Sequence, residues 1–382
     1  MSTARLPRQI AFIIGNEGCE RFSYYGMRNL LSTFLAGTLL AHLPDAEHAA
    51  KDVFHTFVIG VYFFPLLGGW IADRWLGKYA TILSLSVVYT LGHLLLALFE
   101  TNLTGFSAGL LLIALGSGGI KPCVSTFVGD QFDQTNKHLA KVVFDAFYWI
   151  INFGSFFATL LAPVLLKRYG ASVAFGVPGL LMATATVVFW LGRHHYVRVA
   201  PRPEADPHGF FRVCLSSIRS SGMGTGLAAL GVLLALLGLA TGPWLGVVPA
   251  LCLALVGFGT GAGLGAWSSL DRVGGAHPAE AVDGVRSVLR LLVIFALVTP
   301  FWSLFDQKAS TWVFQAGQMA RPEWFHPAQM QSLNPALVML LIPAANLLLY
   351  PGLRSLGIEP TPLRRMTAGL GLAGLSWVVI AL

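Results

Sequence analysis

Residues 15–31 read GNEGCERFSYYGMRNLL, and Glu17, Glu20, Arg21, Tyr24 and Arg28 stand there at i, i+3, i+4, i+7 and i+11. At ~100° per residue these side chains share one face of a helix, and the opposite positions are largely apolar. An ionisable side chain inside a membrane span costs about 2.5–3.5 kcal/mol on insertion scales. Four on one stripe must therefore face a water-filled cavity or pair with one another. Arg21 lies next to Glu20 and one helical turn from Glu17, so it can neutralise one carboxylate. The second acid is left as a buried group able to bind and release a proton. The competing reading is an architectural ion-pair cluster.

Other polar groups fall inside apolar runs. Lys121 sits beside Pro122, and a lone buried lysine must be paired, neutral or solvated. The alternative is a long side chain snorkelling to the interface. Asn152 and Asn334 are amides that can act as interhelical glue. Asp306 has Trp302 and Ser310 four residues to either side, on its own face. Lys308 is turned ~200° away from Asp306. His55 opens a span, and histidine titrates near physiological pH. Asp73, Arg74, Gly77 and Lys78 make a short charged loop that reads as a conformational latch. Asn102-Leu-Thr104 is a glycosylation pattern that matters only in a eukaryotic secretory pathway.

The elements that position these residues are membrane spans. The chain has 382 residues, is 55% hydrophobic and only 11% charged, and carries a net charge of +7. A soluble domain has roughly 25% charged residues, and mean hydropathy here is +0.67. That balance excludes a soluble enzyme, a disordered chain and a nucleic-acid binder. Cys19, Cys123, Cys214 and Cys252 are far apart and imply neither a disulfide framework nor a metal site. Eleven spans are expected, at about 9–40, 53–72, 80–99, 105–127, 142–165, 171–192, 223–240, 244–267, 287–317, 333–353 and 366–382. The first is polar in its middle and lacks a small-residue cleavage site, so it reads as an uncleaved span. With the N-terminus cytoplasmic, most Lys and Arg fall in inner loops, including Arg5, Arg8, Arg74, Lys78 and the arginines of 193–219. Arg28, Lys51, Lys167, Arg168 and Arg321 fall outside, which is a positive-inside pattern. The basic loop 193–219 contains the hydrophilic linker PRPEADPHG. The uncharged stretch 220–270 after it is long enough for two spans around TGPW.

Glu17 to Gly26, E-x-x-E-R-F-x-Y-Y-G, resembles the first-helix motif of the proton-coupled oligopeptide transporters, a branch of the major facilitator superfamily. Further stretches resemble the family in order: GGWIADRWLGK at 68–78, GSGGIKPCVSTFVGDQF at 116–132, FYWIINFGSF at 147–156, FWSLFDQKASTWVFQA at 301–316 and SLNPALVMLLIP at 332–343. The resemblance implies an all-α polytopic membrane protein with the major facilitator superfamily fold. It implies a complete N-terminal six-helix bundle at 1–193, a cytoplasmic linker plus two additional helices at 194–285, and the first half of a C-terminal bundle at 286–382. The last three helices of the family, with a glutamate used for the peptide amino terminus, have no counterpart.

The implied function is proton-driven symport of di- and tripeptides by alternating access, in a bacterial inner membrane, without a cofactor or metal and without nucleic acid. By resemblance, proton coupling falls to Glu17, Glu20, Arg21, Lys121, Asp306 and His55. Peptide binding falls to Arg28, Tyr24, Tyr25, Tyr62, Lys121, Asn152, Trp302 and Asn334, and gating to Asp73 and Arg74. Asp306 can take a proton, receive the peptide amino group or pair with Arg28 when the outer gate closes. By resemblance Lys308 is a departure, since the family usually has an uncharged residue there. Alternatives are a symporter of nitrate or another small organic ion, a shortened non-transporting homologue, and a membrane enzyme. No nucleophile–base pair or metal spacing supports the last.

Overall fold

The architecture comes from a computed structural model that describes residues 6–202 and 206–381. Among them every regular element is helical. In chain order they are α1 (Gln9–Phe34), α2 (Ala46–Ile71), α3 (Gly77–Leu98), α4 (Leu103–Asp130), α5 (Ala140–Tyr169), α6 (Ala171–Leu191), α7 (Phe210–Arg219), α8 (Gly222–Ala240), α9 (Gly242–Leu245), α10 (Val247–Trp267), α11 (Ala279–Phe305), α12 (Thr311–Gln318), α13 (Leu333–Ala344), α14 (Tyr350–Ser355) and α15 (Pro362–Ala381). Eight helical stretches among the described residues are long and apolar enough to cross a membrane. α1 is not among them, because the polar stripe lowers its hydropathy. α15 is not either, because Arg364 and Arg365 shorten its apolar run.

The chain forms two compact units, Met1–Pro203 with Phe305–Leu382, and Glu204–Leu304. This division by packing cuts across the three-part division read from the sequence. In the first unit α1 is central and packs on α5 and α6, while α3 packs on α4 and α6, and α2 on α4. Two side-chain ties fasten α1 along its length. Asn16 Nδ2 donates to the Ala185 carbonyl of α6 at 2.9 Å, and Asn29 Nδ2 donates to the Thr159 carbonyl of α5 at 3.0 Å. Both amides are buried, so each bond satisfies a group that lipid cannot. In the second unit α8 and α10 form a hairpin through α9.

Three local readings change. The segment at 72–76 is a π-helical turn that carries α2 almost without interruption into α3, so Asp73 and Arg74 lie on helix and not in a loop. The positive φ at this join is that of Gly77, 75°, a value that favours glycine. The expected span 287–317 breaks after Phe305 into a 3₁₀ turn, Asp306–Ala309, before α12. The end of the basic loop 193–219 is the helix α7. The linker is described at 201, 202 and 206–209, and its residues 203–205, like Arg5, lie outside the described residues. Asn102, the first residue of the Asn102-Leu-Thr104 pattern, precedes α4 and caps it by accepting from the Gly105 backbone N–H at 2.8 Å.

Candidate functional site

The first-helix stripe is buried in the first unit. Arg21 Nε donates to Glu17 Oε1 at 2.6 Å and lies 2.9 Å from Glu20 Oε2. The two carboxylates are 2–3% exposed at the side chain and Arg21 only 12%, so lipid does not meet them. One guanidinium between two carboxylates leaves a formal excess of one negative charge. Neither Glu20 oxygen has a hydrogen-bond donor in well-formed geometry. The buried Tyr89 of α3 stands next to Glu20; its signal in the sequence is one hydroxyl among several in SVVYTLGH, which does not single it out.

Lys121 does not pair with either glutamate. No carboxylate among the described residues comes within 4 Å of it. Its Nζ lies instead 4.5 Å from the centroid of the Tyr24 ring and 5.1 Å from that of Tyr62. Aromatic faces attract a cation without neutralising it, so neither ring gives Lys121 a counter-charge. The position depends on close packing of α2 on α4: a Cβ at Gly68 would meet the backbone of Gly119 at 2.3 Å. Tyr24 is buried and packs edge-on to Tyr25, with centroids 5.3 Å apart. Tyr62 is 59% exposed.

A second charge pair lies about two to three turns further along α1. Arg28 Nη2 donates to Asp306 Oδ1 at 2.9 Å, and its guanidinium lies 5.3 Å from the centroid of the Phe54 ring. His55 packs edge-on to Phe54 and lies within the electrostatic reach of Asp306 and Arg28. One turn beyond Arg28, Ser32 Oγ donates to the Ala309 carbonyl at 3.0 Å. Gln329 Nε2 donates to the Leu160 carbonyl of α5 at 3.1 Å. These contacts tie α1 and α5 to the segment 306–332 at the end of α1 remote from the N-terminus. Ser32, Phe54 and Gln329 carry no charge in the sequence to mark them.

The unexplained lysine has a place. Lys308 Nζ donates to Asn334 Oδ1 at 3.0 Å and sits 3.6 Å from the Phe305 ring centroid. Asn334 is thus already engaged by Lys308, and Asn152 donates to its own helix, at the Tyr148 carbonyl, at 2.9 Å. Trp302 belongs to the second unit, edge-on to Phe301. At the opposite end of the first unit, Lys78 Nζ donates to Asp130 Oδ2 at 2.6 Å, joining the start of α3 to the end of α4. The Asp73 carbonyl accepts from the Arg202 backbone N–H at 2.7 Å. A cavity of about 330 Å³ that includes Thr33, Thr38, Glu100 and His326 shares none of the candidate residues.

Known proteins share this fold. The PTR2 family model, described as the POT family, matches residues 79–382. The crystal structure of the POT family transporter PepTSo is 58% identical with a TM-score of 0.93, covering 99% of this chain and 76% of that one. An auto-inhibited POT family peptide transporter is 60% identical with a TM-score of 0.91, covering 98% and 75%. Among curated proteins, solute carrier family 15 member 2 of Mus musculus is 36% identical over 394 residues, covering 98% of this chain and 49% of that protein. Peptide transporter family 1 of Drosophila melanogaster is 36% identical over 393 residues, covering 98% and 47%. The chain spans about half the length of the curated relatives it matches.

Proposed function

This chain belongs to the POT family, and from that premise we propose that it is a proton-driven symporter of di- and tripeptides working by alternating access. We place it in a bacterial inner membrane with its N-terminus cytoplasmic and the proton as its only coupling ion. The observation that carries the reading is the buried Glu17–Arg21–Glu20 cluster with Lys121 nearby, beside the rings of Tyr24 and Tyr62 and with no carboxylate of the described residues within 4 Å. Such a cluster has a use for a proton. With both acids ionised, Arg21 is shared between them. A proton on Glu20 neutralises one of them and leaves Arg21 to Glu17. The unpaired Lys121 ammonium then faces less competition from protein carboxylates for the carboxylate of a peptide. Proton and peptide binding reinforce each other, as linkage requires.

The contact of Arg28 with Asp306 closes the end of α1 remote from the N-terminus. In this reading that is the outer gate, and Arg28 and Asp306 are released toward the peptide termini when it opens. Asn334 must likewise leave Lys308 before it can hold a peptide amide. The test is uptake of a labelled dipeptide into liposomes containing this chain, driven by an acid exterior. Accumulation above equilibrium that a protonophore abolishes is the expected result. Uptake insensitive to the protonophore overturns the proton coupling. Peptide binding without any uptake overturns transport and leaves a peptide-binding homologue.

A further inference from the structure

The second compact unit contains a surface helix that substrate transport does not call for. α7, FFRVCLSSIR, is 10 residues long and ends at Arg219, with only Ser220 and Ser221 before α8 begins at Gly222. The 19 residues of α8, apolar but for Thr225, rise ~28 Å at about 1.5 Å per residue, close to the roughly 30 Å hydrocarbon core of a bilayer. The other end of the hairpin carries Trp244, which is 81% exposed, as suits a headgroup-level aromatic. α7 therefore lies at the opposite headgroup boundary.

One face of α7 is pinned to its own unit. Val213 is fully buried against Ala266, Leu270 and Val273. Ser217 Oγ donates to the Ala266 carbonyl at 2.6 Å, and Ser216 Oγ is 3.0 Å from His277 Nε2. At ~100° per residue the outward face carries two adjacent strips. Phe211 and Leu215, 84% and 46% exposed, form the first. Arg212 and Arg219, both exposed, form the second. Neither arginine has an acidic partner among the described residues, and α7 has no acid of its own. The nearby acids are engaged elsewhere: Asp271 and Asp283 both hold Arg286, and Asp206 accepts from the His208 backbone N–H. An apolar strip beside a basic strip, two residues from a span, is the pattern of an interfacial helix.

We propose that α7 is a lipid-binding helix, with Phe211 and Leu215 in the acyl boundary and Arg212 and Arg219 on the phosphates of anionic phospholipid. The charge selects the ligand: guanidinium groups bind phosphate through paired N–H donors, and basic side chains at a headgroup surface favour anionic lipid. The continuity of α7 with α8 selects a bilayer over a protein partner.

Two measurements on the full chain test this. With Phe211 replaced by p-benzoylphenylalanine, illumination in vesicles of phosphatidylethanolamine and phosphatidylglycerol should yield phospholipid adducts. In detergent, native mass spectrometry should show preferential retention of phosphatidylglycerol over phosphatidylcholine. That preference should fall roughly tenfold or more in the Arg212→Gln/Arg219→Gln double variant, with phosphatidylcholine retention unchanged. Both arginines are exposed, so the variant should keep the fold. A protein adduct at position 211, no adduct, or an unchanged lipid preference overturns the proposal.

Discussion

The side chains of the first-helix stripe are worth most as a set. Arg21 between Glu17 and Glu20 is a buried triad, and removing one member of a buried pair leaves an uncompensated charge at a cost of about 3–5 kcal/mol. Glu20→Gln is gentler, because it copies the protonated acid in shape and charge. In the proposed mechanism it should preserve exchange of peptide for peptide while cutting pH-driven accumulation roughly tenfold or more, since couplings of about 1–3 kcal/mol correspond to about 5–150-fold. Paired exchange and uptake assays on one reconstituted batch check this. Full accumulation in the Glu20→Gln variant moves the proton to another group, with His55 and Asp306 next. The stripe was legible in the sequence because five polar residues at helical spacing stand out in an apolar segment. The partner of Lys121 was not, because an aromatic face carries no charge signature. Lys308 was equally opaque. Its partner Asn334 is 26 residues away, beyond a break in the helix that no periodicity announces.

Elements carry these residues through close approaches that hydropathy does not register. The spans themselves were legible from apolar runs, and most coincide with observed helices within a few residues. The join between α2 and α3 was misread because Gly77 and the charges around it look like a turn, whereas the backbone stays helical through a π turn. α7 was read as part of a basic loop because its arginines dominate a short window, and its apolar face is seen only once Val213 is buried. The contact of α2 with α4 invites a stability test. A methyl at position 68 would overlap the Gly119 backbone at 2.3 Å, and no side-chain rotation relieves a clash with main chain. Overpacking of this kind costs about 1–3 kcal/mol. Gly68→Ala should lower the melting temperature of the purified protein by several degrees, and the displaced α4 should weaken peptide binding through Lys121. Gly69→Ala is the control, since a Cβ there meets nothing within 4 Å. Equal melting temperatures for the two variants would show that the helices separate at no cost.

At the scale of the first unit, the consequential contact is one between residues 278 positions apart. Only a resemblance to relatives could suggest the pairing of Arg28 with Asp306 from sequence. Its physical weight comes from burial: the two side chains are 9% and 21% exposed, and the only other ties between α1 and the segment 306–310 named above are neutral. Asp306→Asn keeps the shape of the pair and deletes its attraction, leaving Arg28 charged and largely dry. If the contact holds one of two arrangements together, a loss of about 3–5 kcal/mol shifts their ratio by roughly a hundredfold or more. Spin labels at Thr38 and Met319, both exposed and both in the first unit, report on that end of α1. The wild-type distance distribution should be dominated by one short population. Asp306→Asn should add a longer one, and Arg28→Met, which removes the stranded cation as well as the pair, should perturb it less. Identical distributions in all three proteins would mean that packing, and not this ion pair, keeps the end of α1 closed. The neutral tie from Ser32 to Ala309 would then be the first contact to remove.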